Sequence, residues 1–90
     1  MPPLPRLPAK VVRFHWAEVG HLDGTRRVPV VEVVVQTQDG PVPVALEVLP
    51  GSLEVHRYTA IRSPLVGVVA KEMAQAFVDE RRERIVALFD

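Results

Sequence analysis

Polar and apolar positions alternate with period two from Lys10 to Val19, with Val12, Phe14 and Trp16 on one side and Arg13 and His15 on the other. Period two with aromatic and β-branched residues predicts a strand. Gly20–Thr25 reads as a turn with a glycine near each end. The next run, Arg26–Thr37, is the richest in valine. Val31, Val33 and Val35 share one face, while Val28, Val30 and Val34 share the other with Glu32 and Gln36. Apolar residues on both faces predict a central strand. Pro29, which has no N–H to give, predicts one-sided pairing at its start. Gln38-Asp39-Gly40-Pro41 is a tight connection. Val42–Leu49 then follows with Val44, Leu46 and Val48 inward and Glu47 outward, so the two runs form an antiparallel hairpin.

After the breaker Pro50-Gly51-Ser52, residues 53–62 fit two patterns. As a strand, Leu53, Val55, Arg57, Thr59 and Ile61 share a face. As a helix capped by Ser52, Leu53, Arg57, Ala60 and Ile61 share a stripe. Val, Tyr, Thr and Ile favour the strand.

Ser63-Pro64 is a helix start, with serine as N-cap and proline in the first turn. The stripe Val66, Val69, Met73, Ala76 and Phe77 carries the helix on. It narrows over Asp79–Arg84 and resumes with Ile85, Leu88 and Phe89. Glu80 and Arg84 are spaced to support a helix through the charged run. A last strand over Arg84–Phe89 is the rival, but no turn residue precedes it. The reading is α+β: an antiparallel meander of three or four strands packed against one long C-terminal helix. Residues 1–9 carry four prolines and read as an extended tail, leaving 10–90 as a single domain.

One helix to Leu88 would be roughly 37 Å long. A sheet of three or four strands is only about 15–20 Å wide. The overhang, ending in Ile85-Val86-Ala87-Leu88-Phe89, is too apolar to stand in water. The expectation is a homo-oligomer, a dimer, with Ile85, Leu88 and Phe89 in its interface. The competing reading folds the tail back on the chain's own core at a kink near Asp79.

Composition narrows the chemistry. Ninety residues leave room for one core. Eleven Lys+Arg against eleven Asp+Glu weigh against a nucleic-acid or membrane-surface binder. Arginines near Phe14, Trp16 and Tyr58 keep nucleic-acid binding as a minor reading. The absence of cysteine excludes disulfides, thiolate metal sites and cysteine nucleophiles. No signal-like or membrane-length apolar run occurs, so a cytoplasmic protein is expected. Few lysines, no asparagine and many prolines resemble a thermophilic composition, which a GC-rich genome would also produce.

No catalytic, cofactor or metal motif emerges. His15, Glu18, His21, Asp23 and His56 are the metal-type side chains, but His15 and Glu18 point to opposite faces. Ser52 and Ser63 serve a turn and a cap better than nucleophilic catalysis with His56. Glu32 interrupts the valine run. It is either a desolvated functional carboxylate or the partner of Arg13 or Arg57 across the sheet. Two functions follow. The first is a non-catalytic, self-associating interaction or regulatory module. The second is a small ligand-binding or enzymatic subunit with an interface site drawn from His15, Glu32 and His56.

Overall fold

The computed structural model describes residues 7–89. It contains β1 (Ala9–His21), β2 (Gly24–Thr37), β3 (Gly40–Val48), β4 (Val55–Arg57), α1 (Pro64–Asp79) and α2 (Arg82–Leu88). The strands form one antiparallel sheet in the order β1-β2-β3-β4, with the helices against one face. Most of the proline-rich stretch lies outside the described residues. Its end does not: Gln36 N–H donates to Pro8 O at 2.8 Å, and Ala9 already pairs with Val35.

Local chemistry sets the hairpins. Both tips carry Asp-Gly, at Asp23-Gly24 and Asp39-Gly40, and both glycines have positive φ, at 126° and 111°. The Thr37 hydroxyl locks the second tip by donating to Gly40 O at 2.8 Å and accepting from Asp39 N–H at 3.2 Å. At Pro29 the pairing is one-sided, as expected. It faces Trp16 on β1, while the β2–β3 ladder begins one residue later at Val30↔Glu47.

The register of β1 departs from simple alternation. A bulge between Val11 and Arg13 leaves Val12 half exposed and puts Val11, Phe14 and Trp16 on the helix face. The ambiguous stretch resolves as a three-residue strand inside a loop. Leu53 takes a positive φ of 57° while 2% exposed, strained backbone retained for a buried side chain. The Gln75 amide of α1 completes this short strand. Its Oε1 accepts from Val55 N–H and its Nε2 donates to Leu53 O, both at 3.0 Å. Gln75 thus satisfies one outward N–H of β4. Of the two sheet edges among the described residues, β1 is the long one, with thirteen residues against three in β4.

The long helix is corrected to two. Arg81 leaves helical geometry at φ −125°, ψ 24°. Its guanidinium closes the end of α1, donating to Phe77 O at 3.0 Å and lying 3.9 Å over the Phe77 ring. α1 therefore spans only about 24 Å, and the overhang does not exist. α2 returns to the core, with Ile85 1% exposed inside the same cluster as Val31, Leu46 and Val78. Ile85 is thus a core residue of its own chain and unavailable to a partner. Phe89 packs edge-on against Trp16, with ring centroids 6.2 Å apart. Leu88 remains 41% exposed.

Candidate functional site

The sheet face turned away from the helices collects the chain's histidines. The pairing places Arg13, His15, Glu32, Ala45, Glu47 and His56 on it. Sequence alternation sends all of these outward, toward water. Instead, part of the face is covered by the chain itself. Glu47 pairs with Val30, and His21 pairs with Gly24, six residues further along β2. In a flat sheet six residues are roughly 20 Å. Yet His21 Nε2 lies 3.2 Å from Glu47 Oε2. The β1–β2 hairpin therefore coils back over this face, an extreme of ordinary strand twist. Under it, Val19, Val28 and Val30 form a second small core with Ala17 and Ala45.

Coiling makes Glu47, 7% exposed, the one buried charged residue among those described. Its cross-strand neighbour is His56, whose Nε2 lies 3.9 Å from Glu54. Glu32 is half exposed and sits between two basic groups, His15 Nε2 at 3.0 Å and Arg13 Nε at 3.8 Å. Of the two arginines expected near it, Arg13 is present. Arg57 projects from the opposite face and donates to Thr59 O at 2.8 Å. His15 Nδ1 lies 3.2 Å from Trp16 O. Its Nε2 is close to Glu32 but out of line for a hydrogen bond, so that nitrogen is shut from solvent without an aligned partner. Tyr58 lies near both carboxylates. Partial burial pushes its phenol above the usual tyrosine range, and the negative charges of Glu32 and Glu47 push it further.

Of the three ligand candidates, the structure joins His15 and Glu32 and places His56 on the same face beside Glu47. Among the described residues no three His, Asp or Glu side chains converge in a metal-holding group. Glu18 faces away, as expected. His21 turns to Glu47, leaving Asp23 to Arg26 at 2.8 Å. The Arg26 hydrogen bond holds the Asp23 carboxyl below its ordinary value. Ser52 Oγ accepts from Glu54 N–H, and Ser63 makes no side-chain cap bond at α1. The residues that sequence reasoning passed over are Glu47 and Tyr58. A polar residue at an outward position of a strand looks solvated, and only the coiled hairpin reverses that.

No helix among the described residues is long and apolar enough to cross a membrane. Comparison with protein-family models, curated proteins and solved structures finds no match for this chain.

Proposed function

We propose that this protein is a non-catalytic interaction module that pairs with a second copy of itself along β1 and the adjoining end of α2. The observation that carries the reading is the open edge of β1, thirteen residues long, bordered by apolar side chains. Trp16 is 38% exposed on this strand and touches Phe89. Val86, next to Phe89 on the helical wheel, is 46% exposed. A long edge with apolar neighbours calls for pairing or covering. A second copy of the chain presents the same edge, so antiparallel pairing of β1 with β1 under two-fold symmetry covers both edges at once.

Sedimentation at tens of micromolar tests this, because mass action makes the dimer concentration-dependent. A dimer that Val86→Asp and Leu88→Asp dissociate, with the fold unchanged, supports the proposal. A monomeric wild type refutes it.

One observation favours a second reading, a ligand site on the coiled sheet face. His15 and Glu32, whose Nε2 and Oε2 lie 3.0 Å apart, share this face with Glu47 and His56, a cluster of titratable groups of the kind that ligand sites use. A stoichiometric small-molecule adduct in native mass spectra, lost in His15→Ala, supports that reading. Its absence from protein purified without chelator or histidine tag counts against it.

A further inference from the structure

Two cavities adjoin on the far side of the molecule from the histidines, where the loop after β4 meets the start of α1. The first is an apolar cavity of about 510 Å³ walled by Val42, Ala60, Ile61 and Val66, with Asp39 its one acidic lining residue. The second is a groove of about 380 Å³ lined by Arg57, Arg62 and Lys71 along an apolar wall of Pro64 and Val68, with no acidic lining residue. They share Ile61 and Arg62. Gly67 lets them meet, because a Cβ there would stand 2.6 Å from Ile61 Cδ1.

What sets these three cations apart is that they share one groove. In a chain of zero net charge, Arg13, Arg26, Arg81 and Arg82 each have a carboxylate within 4 Å. Among the described residues Lys10, Arg27, Arg57, Arg62, Lys71 and Arg84 have none, and Arg57, Arg62 and Lys71 line the same groove with no acidic residue beside them. Arg57 is held in place by its bond to Thr59 O and lies 4.0 Å from the position of a Gly67 Cβ. Three unneutralised cations gathered in one groove repel one another. Such a local violation of good charge placement marks a place where something else supplies the negative charge.

We propose that the joined cavities bind an amphiphilic anion, its charged head held by Arg57, Arg62 and Lys71 and its apolar body lying along Ile61 in the Val42–Val66 cavity. The volumes are those of small-molecule sites, and an apolar pocket with a few converging charges is the usual form of such a site. The arginine forks suit a phosphate or carboxylate head. The site uses none of the β1 edge or the histidine face, so it stands apart from both readings above.

Octyl phosphate below its micellar concentration is the probe, titrated into the full chain by calorimetry and by amide shifts in NMR spectra. Saturable binding is expected, with the largest shifts at Ala60, Gly67 and Val68. Octanol and inorganic phosphate, each carrying half of the chemistry, are expected to bind at least about tenfold more weakly. Arg62→Met and Lys71→Met alter exposed side chains, and each is expected to weaken octyl phosphate by about tenfold. Ala60→Trp fills the apolar cavity and is expected to abolish the preference over inorganic phosphate. Binding to octyl phosphate alone supports a free amphiphile, and additional binding to vesicles containing phosphatidic acid supports a lipid. The absence of saturable binding overturns the proposal, as does binding that the folded Arg62→Met/Lys71→Met variant retains in full.

Discussion

Truncating Ile85 separates packing within the chain from packing between chains. Ile85 is 1% exposed and lies in the main core. Ile85→Ala removes buried methyl groups and leaves a cavity, which costs about 2–5 kcal/mol. A ninety-residue domain has only about 5–13 kcal/mol of stability to lose. With a urea slope near 1 kcal/mol per molar, the midpoint falls by roughly 2–5 M. Ile85→Val costs about 0.5–1.5 kcal/mol and moves the midpoint by roughly 1 M, which keeps the experiment readable if the alanine variant unfolds. Trp16 is the sole tryptophan and touches Phe89, so its fluorescence follows the docking of α2. The decisive feature is concentration. At concentrations low enough to hold the chain monomeric, the Ile85 loss should persist in full, because the contacts are intramolecular. Leu88→Ala, at a 41% exposed position, should cost under about 0.5 kcal/mol there. Its effect should appear only as concentration rises and the proposed dimer forms. An Ile85→Ala variant as stable as wild type in the monomer, or one whose loss grows with concentration as that of Leu88→Ala does, refutes the packing of α2 on its own core.

Further outcomes follow from the same contacts. Tyr58 is the only tyrosine, so ultraviolet absorbance titrates it alone; it should deprotonate above the unfolded value of 10.0. The stability contributed by this raised group is fully present below pH 10 and is lost as pH rises through the folded value, a loss that Tyr58→Phe removes. Glu32→Gln and Glu47→Gln should each draw the Tyr58 titration back toward 10.0, and an unmoved titration contradicts the placement of these groups. Gln75→Ala takes two backbone partners from β4 and should cost about 1–3 kcal/mol, with faster amide exchange at Val55. His21→Ala leaves Glu47 without its histidine under the coiled hairpin. It should destabilise more than Glu47→Ala, and a double-mutant cycle showing no coupling would mean the tip does not rest on β3.

The sheet was legible because its signals are local. Period-two valine, the Asp-Gly tips and Pro29 each act within a few residues, and together they fix the strands, their antiparallel pairing and the one-sided start of β2. The helix start at Ser63-Pro64 is local in the same way. The helix break was legible only as the competing reading, a kink near Asp79. Six consecutive charged residues, Asp79–Arg84, contain no glycine or proline to announce it. The chain turns there because Arg81 can cap Phe77 O and stack on its ring, and because Ile85 gains burial on a core that local sequence does not describe. The bulge at Val12 escaped for a similar reason, since alternation alone carries no mark of an inserted residue.

Apart from the bulge at Val12, the face of each residue in β1, β2 and β3 was thus determined by sequence, and its degree of burial by tertiary structure. His15, Glu32, Glu47 and His56 share a face by strand parity alone. Whether that face meets water depends on how far the β1–β2 hairpin coils, a sum of small twists along twelve residue pairs that no single position encodes. The coil turns Glu47 from a solvated charge into a buried one. The groove of Arg57, Arg62 and Lys71 is likewise a product of packing. Its three cations lie on a strand, a loop and a helix, and only the docking of α1 against the loop after β4 brings them together.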